Sequence, residues 1–132
     1  MHLFTFLDYK QPSLPFRTLI ILGQGAFYWG YGLAYMLSSK TCHRFVGYLE
    51  DEAVITYTQC LEQIERGSLT HWKEVKASPT AKAYWRLPEG ATLRDVVLAI
   101  RADECVHREV NHHFSDLPSS AEMEQEEEIK VD

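Results

Sequence analysis

Apolar residues recur at three- and four-residue steps in two long stretches of the chain, and each stripe carries polar groups where a core helix would place Leu or Val. From Thr92 to Phe114, the residues Leu93, Val96, Val97, Ile100, Glu104, His107 and Asn111 share one face. Glu104 and His107 are therefore expected on a buried stripe. Ahead of them, Thr92-Leu-Arg-Asp95 has the Thr-x-x-acid spacing of a helix amino-terminal cap. The other stretch runs from Thr41 to about Arg66, with Gly67 expected as its carboxy-terminal cap. Its stripe is His43, Val46, Gly47, Glu50, Ala53, Val54, Tyr57, Leu61 and Ile64. His43, Glu50 and Tyr57 lie seven residues apart, and a helix drifts only about 20° per seven residues, so they stack along nearly one line. Asp51 and Glu52 point away from that line, and Asp51 reads as an ordinary solvated charge.

The rest of the chain is patterned less sharply. Residues 1 to 9 are apolar and aromatic, a helical stub ended by Lys10-Gln-Pro-Ser-Leu-Pro15. Thr18 to Leu37 has no charge and is about 30 Å long as a helix, enough to cross a bilayer. Its glycines and Gln24 weaken that reading, while Phe27, Tyr28, Trp29, Tyr31 and Tyr35 suit a membrane interface. Pattern alone leaves three readings open: a spanning helix, an interfacial helix and a buried core helix. Residues 67 to 90 form a connection with a short helix expected around Thr80 to Trp85. Past Asp116, Leu-Pro-Ser-Ser and EMEQEEEIKVD read as a disordered acidic tail, so the helical part is taken as 1–117 and the tail as 118–132.

Composition changes this picture little. The chain is 132 residues long, 45% hydrophobic and 12% aromatic, enough for one helical domain with a core. Its net charge is −6, but residues 121 to 132 hold six acids against Lys130 and so contribute −5. The nearly neutral remainder gives no support for nucleic-acid binding. Cys42, Cys60 and Cys105 are an odd count without metal-ligand spacing and read as reduced thiols. Neither a signal peptide nor a transit peptide is legible at the amino terminus.

Glu104 and His107 are three apart, so one cation can reach both side chains. A lone Glu-x-x-His is more often a surface Glu beside a core His bonded to a carbonyl. Glu50 on a second helix shifts the balance. Di-iron carboxylate bundles take one Glu from each of two helices and a Glu-x-x-His from each of two others, so this chain holds half a ligand set. Carboxylate and imidazole donors suit iron or manganese. If His2 belonged to another such pair, its Glu would fall two residues before Met1.

Leu49-Glu-Asp-Glu-Ala53 and Arg101-Ala-Asp-Glu-Cys-Val-His-Arg-Glu-Val-Asn-His112 closely resemble two signature motifs of the alternative oxidases, the cyanide-insensitive quinol oxidases of mitochondria. Met1-His-Leu3 resembles the end of a third, Asn-Glu-Arg-Met-His-Leu, and His43-Arg-Phe-Val-Gly-Tyr-Leu49 and Tyr84-Trp-Arg-Leu-Pro88 fit as well. The resemblance covers about residues 1 to 115. It implies an all-α fold, part of a ferritin-like di-iron helical bundle lacking its amino-terminal helices. Metal ligands are then Glu50, Glu104, His107 and His2, with Tyr57 matching the tyrosine thought to serve redox chemistry. His43, Tyr84 and Asp103 match residues that hydrogen-bond around the ligands. Asp51 replaces a Glu of the usual motif at a position not assigned to the metal.

The implied cofactor is a pair of iron ions, the implied substrates are ubiquinol and O₂, and the implied place is one leaflet of the mitochondrial inner membrane. That last point favours the interfacial reading of Thr18 to Leu37. Because the chain begins inside a motif, it is expected to be a carboxy-terminal part, a product of a misplaced start or a degraded copy, inactive by itself. Two alternatives stand beside this. Two copies in a homodimer would together reach the full ligand count, and a non-catalytic, membrane-peripheral helical remnant would need no metal.

Overall fold

The computed structural model describes residues 1–118, so most of the acidic stretch assigned to a tail lies outside the described residues. The described chain is helical: α1 (His2–Tyr9), α2 (Leu14–Leu37), α3 (Ser39–Arg66), a 3-10 turn (Thr70–Lys73), α4 (Pro79–Trp85) and α5 (Leu93–Asp116). Each expected helix forms, with ends set by local chemistry. Ser38 caps α3, its Oγ accepting from the Thr41 N–H at 3.2 Å, which starts the helix earlier than the apolar stripe does. Pro15 sits in the first turn of α2, where its missing N–H costs nothing, so this helix also starts before Thr18. At α5 the Asp95 carboxylate accepts from the Thr92 N–H at 2.8 Å, one half of the expected capping box.

The central unit is the antiparallel pair α3 and α5. Cys42, Gly47, Val54 and Ile64 are buried on α3, and Leu93, Val96, Val97, Ile100, Glu104 and Ser115 on α5. Burying a side chain such as Ile64 or Ile100, both fully enclosed, stabilises the fold by roughly 1.5–3 kcal/mol. Polar rungs set the register along the pair. Arg94 Nε donates to Glu65 Oε1 at 2.5 Å, Arg101 Nε to Thr58 Oγ1 at 2.6 Å, and His43 Nδ1 lies 2.9 Å from Asn111 Oδ1. Arg44 and Asp116 close the far end.

The connection from residue 67 to 92 folds back over the start of α5. Ala77, Ala81 and Ala91 join Leu93, Val96 and Ile100 in a buried cluster, with Phe6, Tyr9, Trp72 and Trp85 packed against it. Tyr9 pins α1 there, its hydroxyl accepting from the Ser78 N–H at 2.7 Å and donating to Lys76 O at 3.2 Å. This seats the amino-terminal turn, and with it His2, over the middle of α5.

Helix α2 departs from two of the three readings open to it. In this chain it has no buried residue, unlike a core helix, and only Tyr31 is even partly covered. Among the described residues no helix is long and apolar enough to cross a membrane, which removes the spanning one. Interspersed glycines and polar groups dilute the helix's apolar content below what a span requires.

Candidate metal centre

Three side chains from two helices meet midway along the central pair. Glu50 of α3 and Glu104 and His107 of α5 each offer a ligand atom, and these atoms all lie within 4.8 Å of one another. Antiparallel register makes this meeting. The rungs at Thr58 and Arg101 on one side, and at His43 and Asn111 on the other, leave Glu50 opposite the Glu-x-x-His turn. Glu104 is 7% exposed, so its carboxyl is inside the fold as its stripe position predicts. His107 departs from expectation, because its side chain is 52% exposed. Helix α1 covers Glu104 through His2 and leaves the next turn of α5 open to solvent.

His2 adjoins the group through Glu104, its Nδ1 lying 2.9 Å from Glu104 Oε1. Its Nε2 faces Asp103 Oδ2 at 3.3 Å, so both ring nitrogens meet carboxylate oxygens. The ring stacks on Trp85 at 5.9 Å between centroids and lies 6.3 Å from that of His107.

Two carboxyls in one half-buried place cannot both ionise cheaply. Burial, then a hydrogen bond to Glu104 and the charge on Glu104, push the Glu50 carboxyl up to about 7 from an ordinary 4.5, with His107 and His2 pulling the other way. Below about pH 7 Glu50 keeps its proton while facing Glu104. A cation would take that proton's place, and the donor set of two carboxylates and an imidazole suits iron or manganese. Tyr57, packed partly buried against the apolar cluster, also feels the site. Its phenol is raised above its usual 10.0 by burial first, then by the charges of Glu104, Cys60 and Glu50.

The remaining site residues fall in different places. Asp103 lies beside the cluster, accepting from Trp85 Nε1 at 2.9 Å. His43 sits farther along the helix pair, bonded to Asn111. Because the Asn111 amide donates through Nδ2 to His107 O at 3.0 Å, its Oδ1 is turned to His43, whose Nδ1–H donates. His43 Nε2 then accepts from Tyr35 OH at 3.2 Å. Tyr84 is 54% exposed and packs edge-on against Trp85. The neighbouring Trp85, not singled out from sequence, makes the bond to Asp103, although it stands inside the Tyr84-Trp-Arg motif. Asp51 is also corrected. It is no ordinary solvated charge, since His112 Nε2 lies 3.0 Å from its Oδ2 across the helix pair. A partner on another helix leaves no trace in the periodicity of its own.

Residues 1–116 match the family model described as Alternative oxidase. The chain is 46% identical over 124 residues to a protein of Emericella nidulans named "Alternative oxidase, mitochondrial", covering 93% of this chain and 35% of that relative. Proteins of the same name from Monilinia fructicola and Neurospora crassa are each 50% identical over 120 residues, covering 89% of this chain and 34% and 33% of those relatives. The chain thus spans about a third of the length of the curated relatives it matches. A family match across all five helices, centred on the helices that converge Glu50, Glu104 and His107, means that the chain belongs to the alternative oxidase family.

Proposed function

We propose that this chain carries half of the ligand set of a di-iron ubiquinol:oxygen oxidoreductase at the mitochondrial inner membrane. The observation that carries the proposal is the convergence of Glu50, Glu104 and His107 within 4.8 Å in a chain that matches the family over residues 1–116. Those three residues would hold iron, with His2 as a further imidazole one step away. When bound, an iron pair supplies the electron chemistry between ubiquinol and O₂.

The chain's own groups do the rest. Glu50, whose carboxyl is raised to about 7, would give up its proton to a cation bound there. Asp103 and Trp85 fix the His2 ring from the side away from Glu104. Tyr57 keeps its phenolic proton, being pushed above 10.0, beside the two carboxyls. Helix α2 presents exposed Phe27, Tyr28 and Trp29, which fits a helix lying in the interface of one leaflet.

The test is anaerobic loading of the purified chain with Fe(II), followed by metal analysis and oxygen uptake with ubiquinol. Iron retained by the chain and lost in E104A is the expected result, together with no ubiquinol-dependent uptake, because half the ligand set is supplied. No retained iron overturns the metal reading. Uptake at the rate of a full-length homologue overturns the half-site reading, and two irons per dimer would mean that a second copy completes the set.

A further inference from the structure

One turn from the ligands, α3 and α5 are held by a contact of a different kind. The His112 ring lies over Gly47, so closely that a Cβ at that position would stand 2.9 Å from its Cε1 and Nδ1. A side chain at residue 47 would force the ring or the helices to shift, so the ring holds its present seat against α3 because residue 47 has no Cβ. The same ring is anchored along the helix by Asp51, whose Oδ2 lies 3.0 Å from His112 Nε2. Arg108 Nε stands 3.8 Å from the other oxygen of Asp51, and the Tyr48 ring meets the imidazole edge-on at 5.6 Å.

This arrangement constrains two coordinates at once. Contact of the ring with Gly47 bears on the separation of the helices at this turn, and the bond to Asp51 adds the rung nearest Glu50 to their register. Gly47 and Asp51 bracket Glu50 on α3, and His112 stands five residues after His107 on α5. The next tie in the other direction is Arg101 to Thr58. Between these two ties Glu50 faces Glu104.

We propose that Gly47, Asp51 and His112 form a positioning clamp that fixes the spacing and register of α3 against α5 and so brings Glu50 to Glu104 and His107 for a cation. The inference rests on the metal reading above, and its test separates the two.

Cobalt(II) titration of the 132-residue chain, read by visible absorption, measures affinity and ligand geometry together. H112A and G47A are each expected to weaken Co(II) binding about tenfold or more and to change the ligand-field spectrum, the scale typical of lost partners around a metal site. H112Q, whose amide can still donate to Asp51, recovers most of the affinity. G47A combined with H112A is no weaker than H112A alone, since the added methyl then meets no ring. Clamp variants that bind Co(II) with wild-type affinity and spectrum overturn the clamp, whereas a wild-type chain without Co(II) binding overturns the metal reading.

A second arm needs no metal. Nitroxide labels on E52C and E109C, both exposed positions, are placed in a chain whose three native cysteines are alanine. H112A is expected to broaden the distance distribution between α3 and α5, and an unchanged narrow distribution overturns the inference.

Discussion

Helix α2 and the pair α3 and α5 invert the usual relation between hydrophobicity and burial. The twenty-four residues of α2 include Leu19, Ile21, Leu22, Phe27 and Trp29, all more than half exposed. Helices α3 and α5 are studded with charge yet enclose Ile64, Val96, Val97 and Ile100 completely. Amphipathicity explains the difference. A helix docks on another through one apolar stripe, and the charges on its other faces cost nothing in water. Helix α2 meets α3 only near its end, where Tyr31 is partly covered and Tyr35 reaches His43, and leaves its apolar residues outside. Its exposed rings form an apolar surface of the kind that marks an interaction site.

Substitutions at matched positions sharpen this contrast. I100A, in the centre of α5, should lower the unfolding free energy by about 2–5 kcal/mol in chemical denaturation. L22A on α2 should change it by less than about 0.5 kcal/mol, as surface substitutions do. A large effect at Leu22 would mean that α2 does contribute to the core. On the binding side, E104A removes the buried carboxylate that both His2 and Glu50 face, and it should weaken Co(II) binding by at least about a hundredfold, the upper end of effects seen around metal sites. Isothermal titration checks it, and wild-type affinity would dissociate the cluster from metal binding.

Acidity offers a third way to probe the pair. Glu50 has its carboxyl raised from 4.5 to about 7 in the fold, so the folded metal-free chain holds a proton that the unfolded chain gives up more readily. Below pH 4.5 both states are protonated and the contribution to stability is fully present. As pH rises from about 4.5 to about 7 it is lost, and the melting temperature of the metal-free chain should fall with it. E50Q should flatten that segment of the curve, and an equally steep profile in E50Q would assign the slope to another group. The smallest effect lies at the helix start, where T92A removes the hydroxyl that donates to the Asp95 carboxylate at 3.1 Å and should cost about 1 kcal/mol in thermal unfolding.

The helices were legible because each rests on short-range rules. Thr92, Gly67 and the prolines at 12 and 15 act within a few residues of themselves, and the stripes of α3 and α5 follow the helical repeat. Glu50, Glu104 and His107 stood out for the same reason, being polar positions on apolar stripes. Their neighbours did not. Trp85 reaches Asp103 from eighteen residues away, His112 reaches Asp51 from sixty-one, and neither interrupts a pattern that could flag it. Tyr84 shows the converse, matching a motif while its side chain stays largely outside the fold.

Sequence by itself determined the five helices, the caps at Gly67 and Thr92, the polar residues on the two stripes and the family, because each is written in spacings of three, four and seven residues or in contiguous motifs. Tertiary structure alone decided that α2 buries nothing, that His107 stands open while Glu104 is enclosed, and that Asp51 binds His112 over Gly47. These depend on how far apart two helices pack and which turn of one meets which turn of the other. Separation and register are properties of the pair, and no single helix's sequence contains them.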